Sequence, residues 1–508
     1  MPRQWRYDLF IDGAWTPGEA SGVIEVIDPA TEEVIGHVAE ATPKDAVRAI
    51  EAARTAFDEG PWPWMKPRAR AAVLVKMAES LERRAAELRE LIVAETGAAG
   101  VIVDAYQAGG VIPLFRSNAE QIVHAVDWVE ASPPTGGPAG IAGSALIREP
   151  VGVVAAITAF NFPFFLNVVK TAPALAAGCT VVLKPHPWTP LDAFLIAQAA
   201  EEAGLPRGVL NVIPGGAEVG EELSRNPMVD MVTFTGSTVT GRRIMANAAD
   251  TIKKLHLELG GKSAQVVLDD VPEAVVASLG FGAVLTHCGQ GCALPTRLLL
   301  PEKFLDVYKE GVRKARERVV IGDSRDPKTT LGPLIREQQR RRVEGYTQSA
   351  IEEGAEILIG GRRPDGVPKG FYYEPTIYLG TNGMRVAREE IFGPCLTVIP
   401  YSGDGAEAVR IANDSIYGLA GSVMSASSSR AFNVARQIRA GAVQAIGVST
   451  SPPIHTGPGE GQGPGWGTSP GGIGQQGAFG GYKQSGVGRE WGRLGVEEFC
   501  EVKQLSWR

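Results

Sequence analysis

The chain has 508 residues, 44% of them apolar, enough for two or three domains with sizeable cores. Its 50 basic and 57 acidic residues leave a net charge of −7 without long like-charge runs, which argues against nucleic-acid and membrane-surface partners. Five cysteines with no Cys-x-x-Cys pair argue against a disulfide framework, and neither a signal-peptide core nor an apolar run of transmembrane length occurs, so the cytoplasm is expected.

In chain order, Tyr7 to Trp15 and Val23 to Val38 read as short strands, with Asp12-Gly13 favouring a hairpin. Thr42-Pro43 offers a cap and a first-turn proline for a helix to about Phe57, and Arg68 to Glu95 carries helical periodicity up to Gly97. Helix is predicted on to Glu130. Ser132-Pro133-Pro134-Thr135-Gly136-Gly137-Pro138 reads as a breaker-rich connection before a strand at Ser144 to Arg148. From Val151 the pattern becomes regular. Strands are predicted at 151–157, 180–184, 209–213 and 231–234. Helices are predicted at 166–177 closed by Gly178, at 191–203 closed by Gly204, opening at Gly215-Gly216, and at 238–248. Alternation with continuously apolar strands indicates a parallel sheet covered on both faces, with a nucleotide site at its carboxyl edge.

Lys253 to Lys262 alternates apolar and polar residues and then breaks at Gly260-Gly261, a half-buried strand that presents Glu258 at its end as a candidate general base. A second mixed α/β region follows, with strands at 264–268, 297–300 and 396–400. Within it, Cys292 lies between small residues after a long apolar helix-like run, which leaves an exposed sulfur free to act as a nucleophile. Between Gly447 and Gly481, 18 of 35 residues are glycine or proline, so a long loop is expected. A tolerated surface insertion is favoured over a lid at the substrate mouth.

Phe160-Asn161-Phe162-Pro163 follows the first of the regular strands. With Phe234-Thr235-Gly236-Ser237, Glu258-Leu259-Gly260-Gly261-Lys262, Gly289-Gln290-Gly291-Cys292, Glu389-Glu390-Ile391-Phe392-Gly393-Pro394 and Phe479-Gly480-Gly481-Tyr482-Lys483, the chain resembles the NAD(P)-dependent aldehyde dehydrogenases, in family order and over nearly its whole length. The resemblance implies an α/β fold: a Rossmann-like parallel-sheet dinucleotide-binding domain (1–130 and 151–260), an α/β catalytic domain (261–477) and a small β oligomerisation arm (131–150 and 488–508). It also implies a homodimer or homotetramer.

By that resemblance, Cys292 adds to an aldehyde, Asn161 and the Cys292 backbone N–H stabilise the oxyanion, and Glu258 activates the thiol or the hydrolytic water. Lys170 and Glu490 match positions associated with proton relay, a surface ion pair being the alternative. No Gly-x-Gly-x-x-Gly follows a strand here, so the turn Phe234-Thr235-Gly236-Ser237 at a helix amino terminus is the expected pyrophosphate site. Lys184 is expected on the adenosine ribose and Glu390 with Phe392 on the nicotinamide ribose and ring, with Ile157, Phe160 and Leu259 completing the cofactor set. Where the family has Lys-Pro-x-Glu, this chain reads Lys184-Pro185-His186-Pro187. Without that carboxylate a 2′-phosphate is repelled less, so NADP is the alternative, with His186 a candidate aid to its 2′-phosphate, while NAD remains the expected cofactor.

Phe162, Phe164, Phe165, Val169 and Phe479 suggest an apolar aldehyde tunnel. Glu258 disfavours a coenzyme A-acylating relative, and intact Cys292, Glu258 and Asn161 disfavour a silent binding protein. No metal is expected: His256, His287, Cys288 and Cys292 lack the usual zinc spacing. A reversible Cys288–Cys292 disulfide is the expected response to oxidation.

Overall fold

The computed structural model describes residues 5–20, 22–138, 140–448 and 477–507; the core of the expected Gly/Pro-rich loop, 449–476, lies outside the described residues. The amino-terminal hairpin consists of β1 (Leu9–Ile11) and β2 (Ala14–Thr16), turned by Asp12 and Gly13 at positive φ. After it the alternating units are β3 (Val153–Ile157), α1 (Pro163–Ala177), β4 (Thr180–Lys184), α2 (Leu191–Ala203), β5 (Leu210–Val212), α3 (Ala217–Arg225), β6 (Met231–Thr235), α4 (Thr238–Ala248) and β7 (Lys254–Glu258).

These strands form one sheet in the order Gly486–Val487, β7, β6, β3, β4, β5, β1, β2, and the five from β7 to β5 are mutually parallel. Successive side chains leave opposite faces of a strand, and the core divides accordingly. Val154 and Ala156 pack with α1 and α2 residues such as Val168 and Phe194, whereas Val153, Ala155 and Ile157 pack with Ile50 and Ala53 of the helix Pro43–Asp58. That helix starts with Thr42 and Asp45 capping each other's backbone N–H. Burial on both faces is why these strands read as unbroken apolar runs.

A second sheet comprises β8 (Ser263–Val267), β9 (Pro295–Pro301), β10 (Glu356–Ile359), β11 (Thr376–Leu379), β12 (Cys395–Tyr401), β13 (Ala420–Ser425) and β14 (Ala442–Gly447), ordered β10-β11-β12-β9-β8-β13-β14 and parallel except at β10. Only Leu259 to Lys262 separate β7 of the first sheet from β8 of the second.

Sequence and structure differ at three places. The Pro133-Pro134 segment is not a connection but part of a strand, Val129–Gly137, and the preceding helix ends at His124. The strand is the edge of a three-stranded antiparallel sheet with Gly140–Pro150 and Cys500–Trp507, and its register shifts between Ser132 and Thr135. Proline is tolerated at edges and bulges, which need no ladder N–H. The helical stretch after Arg68 is two helices, Pro67–Arg83 and Ala85–Thr96, separated at Arg84. The apolar run before Cys292 is likewise broken into Glu273–Ser278 and Gly282–Leu285, with Gly280 between them at φ +49°. Among the described residues no helix is long and apolar enough to cross a membrane.

Candidate active site

The parallel strands of the first sheet end together, with Ile157, Lys184, Thr235 and Glu258 as the last residues of β3, β4, β6 and β7. The next residues cross to the second sheet, and two glycines permit the approach. A Cβ on Gly261 would lie 2.2 Å from the Cys292 carbonyl oxygen, and one on Gly260 would lie 2.6 Å from Glu390 Oε2. The Gly261 N–H instead donates to Glu390 Oε1 at 2.9 Å. The crossing opens onto a cavity of about 700 Å³ whose walls include Cys292, Glu258, Asn161 and Glu490.

The loop bearing Cys292 is held under backbone strain. His287, Cys288 and Gly289 have φ of 49°, 54° and 68°, a region costly for the first two. Buried Gln290 clamps the loop: its Nε2 donates to the His287 carbonyl at 3.2 Å, and its Oε1 accepts from the Ile335 N–H at 3.1 Å. Asn161 Nδ2 donates to the Gln290 carbonyl at 2.9 Å, which commits one of the amide's two N–H groups and leaves the other. Cys292 is only partly exposed, unlike the open sulfur expected from its small neighbours. Burial, then the charges of Glu390, Glu258 and Glu490, push its pKa above the ordinary thiol value. The sulfur therefore stays protonated at neutral pH until a base acts on it. Cys288 points elsewhere, into an apolar cluster with Leu331, Tyr373 and Tyr378, and all five cysteines are free thiols.

No side chain among the described residues hydrogen-bonds either carboxylate oxygen of Glu258, and the Gly481 backbone N–H is the donor that faces it. Burial and the neighbouring Glu490 charge raise its pKa well above the usual carboxylate range, against the pull of Lys170 and Arg489. Lys170 and Glu490 do not form a surface pair: Lys170 Nζ lies 2.9 Å from Glu490 Oε1, with the two side chains 0% and 5% exposed. Isolating such charges costs several kcal/mol per ion, which the close pairing offsets.

On the side of the sheet edge, Gly236 lies where a Cβ would meet the Phe234 ring at 2.3 Å, so the turn can be approached closely only through its glycine backbone. Ser237 caps α4, its Oγ accepting the Thr240 N–H at 3.2 Å, and the buried Thr235 hydroxyl has no partner among the described residues. An orphan hydroxyl, a glycine cradle and a helix amino terminus together fit a phosphate-bearing cofactor. Burial lowers the Lys184 pKa to about 8, opposed by the charge of Glu218. Phe392, at φ +64°, stands edge-on to Phe160 with ring centroids 5.7 Å apart. Burial raises Glu390 to about 7. Burial, with Lys184 and Arg336 nearby, lowers the His186 pKa to about 3, and its Nδ1 accepts the Trp188 N–H at 3.1 Å.

The rest of the wall is mostly apolar, with Gln265, Gln339, Arg342 and Gln444 among its polar members. The Phe479 and Trp491 rings stack at 4.7 Å, and Phe165 meets Trp491 edge-on at 6.2 Å.

The sequence matches the aldehyde dehydrogenase family over residues 15–464. The chain belongs to the aldehyde dehydrogenase family. It is 39% identical over 505 residues to a 3-succinoylsemialdehyde-pyridine dehydrogenase of a Pseudomonas species, covering 98% of each chain, and 38% identical over 507 residues to a betaine aldehyde dehydrogenase of Bacillus subtilis (98% and 96%). Among solved structures it resembles a Mycobacterium tuberculosis aldehyde dehydrogenase complexed with NAD+, at TM-score 0.89 and 42% identity over 99% and 98% of the two chains. It also resembles a Pseudomonas syringae aldehyde dehydrogenase complexed with NAD+ and octanal, at TM-score 0.88 and 37% identity over 98% and 96%.

For this aldehyde dehydrogenase, the sequence-derived set divides spatially. Cys292, Glu258, Asn161, Glu490, Phe160, Thr235, Gly236, Ser237, Leu259, Glu390, Phe392, Phe162, Phe165 and Phe479 line the cavity. Lys170 reaches it through Glu490, while Ile157, Lys184 and Phe234 are not among its lining residues. Val169 and Phe164 are buried and do not themselves line the cavity: Val169 packs with Leu114 and Leu166 against the lining residues Phe162, Phe165 and Trp491, and Phe164 is wholly buried. Sequence reasoning missed Trp491, Tyr106 and the clamp Gln290. Trp491 directly follows Glu490, and its φ of +73° turns it toward the cavity in a way no periodicity announces.

Proposed function

We propose that this aldehyde dehydrogenase oxidises an uncharged, apolar aldehyde to the carboxylic acid with NAD(P)+, NAD being preferred. The observation that carries this reading is the meeting of Cys292, Glu258 and Asn161 on one cavity, with Phe165, Phe479 and Trp491 on its wall. The NAD+-bound neighbours support the cofactor, and the octanal-bound neighbour supports the substrate class.

Thr235, Gly236, Ser237 and Lys184 would hold the pyrophosphate and adenosine side of the cofactor, and Glu390 with Phe392 the nicotinamide side, among Ile157, Phe160, Phe234 and Leu259. The chemistry that bound NAD(P)+ supplies there is hydride acceptance. The residues do the rest. Glu258 takes the proton from Cys292 and the thiolate adds to the aldehyde carbon, while the second Asn161 N–H and the Cys292 backbone N–H meet the oxyanion. After oxidation to the thioester, Glu258 takes a proton from water as its oxygen bonds to the carbonyl carbon; the carbon–sulfur bond then breaks and the acid leaves. Lys170 and Glu490 carry protons away from Glu258. Phe162, Phe165 and Phe479 exclude water from the substrate chain.

We assign the first sheet to a dinucleotide-binding domain (1–130 and 151–260), the second to a catalytic domain (261–477), and the three-stranded sheet to an oligomerisation arm (131–150 and 488–508). Exposed Ile141, Val502, Leu505 and Trp507 on that arm suit pairing in a homodimer or homotetramer. Five free thiols suit a reducing cytoplasm. The test is NADH release with an aldehyde panel: octanal and benzaldehyde should exceed glyoxylate in kcat/KM by at least tenfold without coenzyme A. A requirement for coenzyme A, or a preference for charged aldehydes, would overturn the reading.

A further inference from the structure

His256 lies two residues before Glu258 on β7, so both side chains leave the same face of the strand, and it is 1% exposed. Its hydrogen-bond partners fix where its proton sits. Lys170 Nζ can only donate, and it gives a hydrogen bond to Thr233 Oγ1 at 3.2 Å. Thr233 is wholly buried on β6, and its remaining side-chain partner among the described residues is His256 Nδ1 at 2.9 Å. We assign the hydroxyl proton to the hydrogen bond with Nδ1, the one side-chain acceptor it meets among the described residues. An Nδ1 that accepts carries no proton, so a neutral imidazole carries its proton on Nε2. Burial, followed by the positive charges of Lys170 and Arg489, keeps the ring neutral. Nε2 has no partner among the described residues and lies 3.8 Å from Glu258 Oε1, which has no side-chain partner there.

We propose that His256 is a positioning residue, the last member of a directed donor chain Lys170–Thr233–His256 whose Nε2–H holds the Glu258 carboxylate in its proton-accepting form and orientation. A movement of about 1 Å closes the 3.8 Å gap to hydrogen-bond distance. The ring itself is fixed from behind, where a Cβ on Gly488 would lie 2.5 Å from His256 Cδ2. The charged groups facing this site are Lys170 from α1, Glu258 on β7 itself, and Arg489, Glu490 and Glu498 from the carboxyl-terminal segment, with Glu490 Oε1 3.9 Å from Nδ1. Without the Nε2–H, burial and Glu490 act on Glu258 with less opposition, and its base form becomes scarce at neutral pH.

The inference rests on the proposed role of Glu258 as a base in aldehyde oxidation. The experiment measures kcat against pH and the pre-steady-state NADH burst for the wild type, His256→Phe, His256→Gln and Thr233→Val, with thermal melts alongside. For His256→Phe we expect a burst of about one NADH per site, a roughly tenfold lower turnover, and an acid limb displaced upward by about one pH unit, the scale of one hydrogen bond to a carboxylate. His256→Gln, whose amide still donates, should recover turnover to within about threefold of the wild type. Thr233→Val, which frees the ring to change tautomer, should displace the limb in the same direction. An unmoved acid limb in His256→Phe, or a Gln variant as slow as the Phe variant, overturns the proposal. If His256→Phe does not fold, an unmoved limb in Thr233→Val overturns it alone. A wild type that releases no NADH with any aldehyde overturns both this inference and the reading beneath it.

Discussion

Lys262, four residues after Glu258, offers a test of how this crossing segment is stabilised. Its side chain is 2% exposed, its Nζ has no partner among the described residues, and burial, with Arg297 adding to the effect, lowers its pKa from 10.5 to about 7. The sign follows from linkage. Below about pH 7 the amine is protonated in both folded and unfolded chains, and the cost of burying the charge is present in full. As pH rises from about 7 toward 10.5, the folded chain has released the proton while the unfolded chain still holds it, so stability increases with pH. Each pKa unit corresponds to about 1.4 kcal/mol, so between pH 6.5 and 9.5 this one group contributes a swing of about 3–4 kcal/mol. Lys262→Met keeps the apolar stem and removes the swing. The variant should gain most over the wild type at pH 6.5 and lose that advantage by pH 9.5, a change in the gap of about 3–4 °C in Tm for cooperative unfolding of a chain this long. Scanning calorimetry at one heating rate across that range reads it. A gap independent of pH would refute the reasoning.

Two further predictions concern the neighbouring charges. Lys170→Met leaves Glu490 buried without its cation and should cost about 3–5 kcal/mol, whereas Lys170→Met combined with Glu490→Leu should recover most of it; denaturant titration of the four-member cycle decides, and additive losses would contradict the pairing. Glu218 folds back over the start of α3, where a Cβ on Gly216 would lie 2.5 Å from its Oε1, and its charge is felt at Lys184. A negative charge from a neighbouring helix thus acts on Lys184, beside the position where the family's Lys-Pro-x-Glu carboxylate is absent. Glu218→Gln should narrow the ratio of kcat/KM for NAD to that for NADP by about tenfold, and an unchanged ratio would remove Glu218 from cofactor choice.

The sequence was most legible where one local signal decided the outcome. The limits of β4, α2 and α4 follow the predicted ones because each is a run of one period with a local stop or start: Pro185 after β4, Gly204 after α2 and the Ser237 cap before α4. The first sheet and the identity of Cys292, Glu258 and Asn161 as cavity residues were legible from order and motif. What stayed hidden depends on contacts distant along the chain. Pro133-Pro134 signals a loop until Gly140–Pro150 supplies a partner strand. Val169 stands one layer behind the cavity wall, packed with Leu114 and against Phe162, Phe165 and Trp491, a depth that only the tertiary structure sets. His256 looks like one member of an alternating strand until Thr233, Lys170 and Glu490, from three other parts of the chain, assemble around it.

The central claim is that Cys292 carries the substrate carbon and Glu258 releases it. Incubating Glu258→Gln with octanal and NAD+ and reading the intact protein and its peptides by mass spectrometry tests this directly. The account predicts a single added octanoyl group, formed more slowly than in the wild type because Glu258 also deprotonates the thiol, mapped to the peptide containing Cys292 and persisting for at least a hundred times the wild-type turnover time. NADH release with no acyl group on the protein, or an acyl group on Cys288 in place of Cys292, would contradict it.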